Sequence, residues 1–235
     1  MQTTATAEAS TFPRLLLKHA TERPGAPAMR EKEYGIWQTR SWADMATLVE
    51  HLACGLHQAG LQRGEHMIVV GANRPRLSAT MLAAQALGAI PVPLYQDAAA
   101  AECVFPITNA EVRFCLVEDQ EQVDKMLEVR ESCPQLAHIY YDDPRGLRNY
   151  HEAGLTALDE LLTAGKSFAD SHPTFFKDEV AKAHATDVAA MFFTSGTTGN
   201  PKGVVHTHSS LIDRAQAGAE FDKLTSDEEV LAYLP

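Results

Sequence analysis

The chain has 235 residues, enough for one large domain or two small ones; 45% are hydrophobic and 22% charged, the balance of a folded chain and not of a disordered one. Twenty basic against thirty-one acidic residues leave a net charge of −11, which excludes a generic nucleic-acid or anionic-membrane binder, since either needs a basic face. Any anionic ligand must therefore be held by a local site.

Taken in chain order, residues 1–10 carry no basic residue and no apolar stretch, so they read as a frayed tail and not as a signal peptide. The spacing of Leu15, Leu16 and Ala20 predicts a short amphipathic helix over 12–23, stopped before Pro24. A short strand follows at 35–40. Ser41, with Asp44 three residues later, is an N-cap for a helix to about Ala59, closed by Gly60. Residues 67–71 form an apolar run of strand length, Pro75 suits the first turn of a helix ending at Gly88, and 90–95 returns as a strand. The alternation continues with helix 98–109, strand 112–117, helix 120–132, strand 136–141, loop 142–154 and helix 155–164. Residues 165–186 read as irregular and polar. Strands at 188–193 and 204–208, a helix at 209–221 and a closing strand at 230–234 complete the pattern. The bare edge of that closing strand predicts self-association.

Alternating helices and near-continuously apolar strands predict an α/β fold, a mostly parallel sheet with helices on both faces. Three parts are distinguished: a first α/β part (11–164), a connecting segment (165–186) and a second part (187–235). The charge-free run 77–96 is interrupted by Gly88, Pro91 and Pro93 and reads as a helix then a buried strand, not a membrane span. Cys54, Cys103, Cys115 and Cys133 stand far apart with no C-x-x-C pair. They read as buried free thiols in a reducing compartment.

The chemistry concentrates between the strands at 188–193 and 204–208, in Thr194-Ser195-Gly196-Thr197-Thr198-Gly199-Asn200-Pro201-Lys202-Gly203. Three glycines let backbone approach a ligand closely. Four hydroxyls and one lysine can converge on phosphate oxygens, and no side chain here is acidic. No Asp or Glu stands between Asp187 and Asp213, although the longer acid-free run from Glu65 to Asp97 shows that core alone can produce such a gap. The Walker A loop does not fit: Lys202 follows Pro201 instead of Gly and precedes Gly203 instead of Ser or Thr. The loop also leads into a strand, so no helix N-terminus faces the phosphates. A flexible Gly/Thr hairpin without function is the bland alternative.

This ten-residue run resembles the phosphate-binding signature of the adenylate-forming (AMP-binding) superfamily, with the following V-V-H-T-H in keeping. Asn73-Arg74-Pro75 and the G-A-I-P-V-P-L-Y run from Gly88 to Tyr95 resemble its long-chain acyl-CoA synthetase branch. The resemblance implies the cofactors ATP and Mg2+ with coenzyme A as a substrate, and a carboxylic, fatty acid as partner substrate. It implies Thr197 as the hydroxyl ligand of Mg2+, with Thr194, Ser195, Gly196, Thr197, Thr198, Gly199, Lys202 and Gly203 around the triphosphate. Lys202 and Thr197 would be the catalytic pair, Lys202 neutralising the pyrophosphate leaving group. Family chains are more than twice this length and carry a later Thr-Glu motif, a ribose-binding Asp and a C-terminal lid domain with its lysine. The resemblance thus implies an incomplete amino-terminal domain without the lid, inactive alone, from a cytoplasmic enzyme with no membrane span. Two alternatives stay open: an adenylating enzyme with another acyl acceptor, such as a carrier protein, and a non-catalytic nucleotide-binding remnant.

Remaining candidates carry blander readings. His206 and His208 flank Thr207 and could share a strand face as metal ligands, but no Cys, Asp or Glu stands near in sequence, and a structural or substrate-adjacent role is the better reading. Tyr140 to Asp143 reads as a strand end and solvated loop. Ser209 and Ser210 read as a helix cap, not as nucleophiles. No G-x-S-x-G motif is present.

Overall fold

The computed structural model describes residues 11–194 and 201–233; the frayed tail expected over 1–10 lies outside them. The Thr11 side chain accepts the Arg14 amide and opens α1 (Phe12–Glu22). Strands β1 (Pro27–Glu33) and β2 (Ile36–Ser41) make an antiparallel hairpin. Its two turn residues, Tyr34 and Gly35, both have positive φ (47° and 83°), the mirror-image turn whose twist matches that of the strands. Sequence reading found β2 and missed β1, in which Arg30, Glu31, Lys32 and Glu33 run consecutively and hide the period of two. Helix α2 (Trp42–Gln58) starts at the expected capping box, the Ser41 hydroxyl accepting the Asp44 amide while the Asp44 carboxylate accepts the Ser41 amide.

The centre is a five-stranded parallel sheet of β3 (His66–Val70), β4 (Ile90–Leu94), β5 (Phe114–Val117), β6 (His138–Tyr141) and β7 (Leu155–Ala157), in the order β4-β3-β5-β6-β7. Helices α3 (Pro75–Ala86), α4 (Ala100–Asn109) and α5 (Gln120–Glu128) connect the first four strands. Alternate strand residues enter two separate cores. Met67, Val69, Phe114 and Leu116 join α1, α2, α3, α6 (Leu158–Ser171) and α7 (Phe175–Ala181) on one face. Ile68, Val70, Cys115 and Val117 join α4 and α5 on the other. This two-sided burial is why the strands read as unbroken apolar runs. All four cysteines are buried and free, and burial pushes the Cys54 thiol up to about 11. Among the described residues no helix is long and apolar enough to cross a membrane; the run 77–96 divides into α3 and β4.

Three expectations are corrected. Residues 155–157 are not helical: they pair with β6, and α6 starts only at Leu158. Residues 165–186 are not mainly irregular, since α6 continues to Ser171 and α7 follows. Gly165 is a packing residue and not a breaker: a Cβ there would lie 1.8 Å from the His51 carbonyl oxygen of α2, and a Cβ on Gly55 would lie 2.5 Å from the Leu161 carbonyl oxygen of α6. Third, residues 230–233 form no strand and stay exposed, so the self-association expected from a bare closing strand loses its basis.

The remaining strands, β8 (Val188–Thr194) and β9 (Lys202–Thr207), pair antiparallel and lead into α8 (His208–Asp222). Although β8 packs beside β4, no ladder joins them. The Ile90 amide of β4 points inward to the Glu65 carbonyl, so Pro91 and Pro93, at alternate positions, turn their donor-less nitrogens towards the outer edge. That edge cannot extend the sheet through β4 donors. The Gln85 side chain donates to the Ala189 carbonyl at 2.8 Å, and the Phe105 and Phe193 rings meet edge to face at 6.1 Å.

Candidate functional site

The hairpin brings together the two ends of the hydroxyl- and glycine-rich run. Thr194 is paired opposite Lys202, and the Thr194 hydroxyl donates to the Lys202 carbonyl at 3.5 Å. Both side chains are exposed, and so is Gly203, paired opposite Phe193. A Cβ on Gly203 would approach the Met191 sulfur to 3.0 Å, so a side chain here would have to displace the tip of Met191. Ser195, Gly196, Thr197, Thr198 and Gly199 lie outside the described residues.

The opposite end of the hairpin is densely tied. The amides of His208 and Ser209 donate to the carbonyls of Asp187 and Ala185. The His208 ring is 2% exposed, and its Nδ1 accepts the Phe12 amide at 3.3 Å. Burial pushes this imidazole down to about 4, with Asp187 pulling weakly the other way. His206 remains on β9 with its ring 5.7 Å from that of Phe192, whereas His208 already begins α8. The two histidines are therefore no strand-face pair, and among the described residues no group of three or more His, Cys, Asp or Glu side chains could hold a metal. The cap of α8 is Thr207, whose hydroxyl accepts the Ser210 amide at 3.2 Å, not the two serines after it.

Beyond the carboxyl ends of β3 and β4, beside the β1–β2 hairpin, lies a groove of about 1150 Å3, lined among others by Met29, Trp37, Asn73, Arg74, Tyr95 and Tyr233. In an open sheet of this order ligands settle in the crevice where successive connections leave in opposite directions; here that switch falls between β3 and β5, next to the groove's β3 end. Glu118, just after β5, stands at the switch and holds two residues of the groove's wall. Its Oε2 accepts the Ala72 amide at 2.6 Å and its Oε1 the Arg74 Nε at 3.0 Å. Asn73 donates to the Ala232 carbonyl at 3.1 Å, and Arg30 pairs with Glu229 at 2.8 Å, fastening 229–233 as one wall. Asp142 is not the solvated loop residue expected: its side chain is 14% exposed and lies 2.8 Å from Arg76 Nε. Burial raises its carboxyl pKa, and Arg76 opposes the rise. Sequence reading passed over Glu118 and took Asp142 for a solvated loop residue. Their positions one residue beyond apolar strands were the available signal.

A doubly covered, mostly parallel sheet, followed by an antiparallel hairpin, is the fold in which Thr194, Lys202 and Gly203 are set. The profile of the AMP-binding enzyme family matches residues 16–235: the chain belongs to that family. Among its relatives are a long-chain-fatty-acid–CoA ligase of Mycobacterium bovis, 26% identical over 223 residues (94% of this chain, 35% of the relative), and one of Homo sapiens, 30% identical over 212 residues (89% and 31%). Among solved structures, the fold is similar to that of MbtA from Mycobacterium smegmatis (TM-score 0.71, 20% identity, 93% of this chain and 37% of that one). It is also similar to the anthranilate CoA ligase AuaEII in complex with anthranoyl-AMP (TM-score 0.70, 18% identity, 92% and 38%). The chain spans about a third of the length of the curated relatives it matches.

Proposed function

We propose that this chain supplies the triphosphate grip of an ATP-dependent acid–thiol ligase of the fatty acyl-CoA synthetase type. In that reaction the carboxylate of a fatty acid attacks the α-phosphorus of ATP, giving an acyl-adenylate and pyrophosphate. The thiolate of coenzyme A then attacks the acyl carbon and AMP leaves. The observation that carries the reading is the pairing of Thr194 with Lys202 across the mouth of a loop rich in Gly, Ser and Thr. Lys202 is the positive charge for the departing pyrophosphate, whose stabilisation is a matter of placing charge beforehand. The hydroxyls and amides from Thr194 to Gly199, with Gly203, are the phosphate contacts. Mg2+ reaches such a site with the nucleotide, neutralising phosphate charge; Thr197 is its hydroxyl ligand in this reading. The relatives' names support long-chain fatty acid and coenzyme A as substrates, and an adenylate passed to another acceptor is the second outcome of the assay below.

Alone, the chain grips phosphates without releasing product. Two or three charge-assisted hydrogen bonds contribute about 4 kcal/mol, a dissociation constant on the order of 1 mM. Calorimetric titration with MgATP tests this, with Lys202→Ala expected to weaken binding about tenfold while leaving the melting temperature unchanged. Equal binding by Lys202→Ala overturns the phosphate assignment. Pyrophosphate release with palmitate overturns the inactivity of the chain by itself, and its dependence on coenzyme A separates the two acceptors.

A further inference from the structure

The hairpin bearing Lys202 is held at its base more firmly than along its length. Phe192, Val204 and Val205 are exposed on its strands, while every hydrogen bond described at the β9–α8 junction converges within a few residues of His208. Thr11 is wholly buried there, and the Phe12 ring stands 5.6 Å from the imidazole. The Arg14 guanidinium, one turn further along α1, donates to the carbonyls of Ala181 at 2.8 Å and Ala183 at 3.0 Å. The 183–187 turn is closed by the Asp187 carboxylate, which accepts the His184 amide at 2.9 Å. The first turn of α1 thus clasps both the turn before β8 and the residue after β9. From that base, six residues of strand carry the chain about 20 Å to Lys202.

We propose that His208 is a positioning residue for the Lys202 hairpin: its neutral imidazole, by accepting the Phe12 amide, locks the amino-terminal helix to the base of β9, and a proton taken from solvent onto Nδ1 opens that lock. A protonated Nδ1 is a donor facing another donor, so the bond to Phe12 cannot survive protonation. The titratable and charged groups on the elements packed around the ring are His184 and Asp187 on the turn, Arg14, Lys18, His19 and Glu22 on α1, Lys202 and His206 on β9, and Asp213, Arg214, Glu220 and Asp222 on α8. Asp187 is the one whose charge favours the protonated ring, and burial outweighs it. The locking half of the proposal stands on geometry; the positioning half rests on the reading of Lys202 as a phosphate ligand.

The test uses the whole 235-residue chain as wild type, His208→Asn and His208→Ala. Asn offers an acceptor oxygen close to the place of Nδ1 and cannot be protonated. Amide hydrogen exchange in β9 and the first turn of α8, corrected for intrinsic rates, is followed from pH 7.5 to 4.5. Wild type loses protection by on the order of 100-fold over that range, His208→Asn keeps it, and His208→Ala lacks it throughout. Matching pH profiles for wild type and His208→Asn overturn the lock. MgATP titration at pH 7.5 reads the other half: weaker binding by His208→Ala, restored in His208→Asn, supports positioning, and equal binding by all three overturns it. No MgATP binding by wild type at any pH overturns the phosphate reading instead, and leaves the exchange profile to decide the lock.

Discussion

Replacing Gly165 by Ala adds one methyl group at the crossing of α2 and α6. The new Cβ would stand 1.8 Å from the His51 carbonyl oxygen and 2.7 Å from the Gly55 nitrogen. Both atoms belong to the backbone of a buried helix, so no rotamer relieves the overlap. The helices must separate by about 1.5 Å to restore ordinary contact, and a gap of 0.5–1 Å already forfeits a quarter to a half of each dispersion contact. Val49 and Leu52 of α2 and Leu158 and Leu161 of α6 all belong to the first core. Overpacking usually costs about 1–3 kcal/mol; an overlap this deep with rigid backbone goes beyond that, to about 4 kcal/mol, and the better helix propensity of Ala returns about 1 kcal/mol. A net loss of about 3 kcal/mol is a large fraction of a typical domain's stability. Urea unfolding followed by circular dichroism reads it as a lower midpoint at unchanged slope. Gly218→Ala on α8, where a Cβ meets nothing within 4 Å, is the control and gains about 0.5–1 kcal/mol. A Gly165→Ala chain as stable as wild type would show that the α2–α6 crossing is wider than described and the reasoning wrong.

Acid should destabilise the fold through His208. Its folded pKa of about 4 lies below the ordinary 6.5, so the unfolded chain binds the proton more readily. The stabilisation is whole above pH 6.5 and is lost as pH falls towards 4, by about 3 kcal/mol in all; thermal melts across that range should show a smaller loss in His208→Asn. Glu118→Gln keeps the shape but turns amide hydrogens towards the Ala72 amide or the Arg74 guanidinium, so it should cost about 2 kcal/mol. An unchanged urea midpoint would mean that the 71–74 turn does not depend on that carboxylate.

Most of the central sheet was legible because its signals are local. Ser41 with Asp44, Pro75 at a first turn and short apolar runs each announce themselves within four residues. What escaped were segments whose meaning is set by a distant partner. Gly165 punctuates in one dimension and packs in three, so the second half of α6 and all of α7 were hidden behind it. Strand β1 owes its existence to β2 and the Tyr34–Gly35 turn, not to any alternation of its own. The loop could be recognised from residue types in order, yet its anchoring could not, since Phe12 and His208 stand 196 residues apart. The pairing of Arg74 with Glu118, 44 residues apart, was hidden for the same reason.

Two prolines decide how the β8–β9 hairpin is coupled to the central sheet. Because Pro91 and Pro93 deny β4 its outward amides, β8 rests beside β4 through side chains, with a bond from Gln85 of α3 to the Ala189 carbonyl. Such a seam transmits force sideways but resists tilting poorly. A load applied at Lys202 would reach the central ladder through side-chain contacts and not through backbone rungs. Stiffness in the platform and compliance in the arm then come from the same five-residue strand.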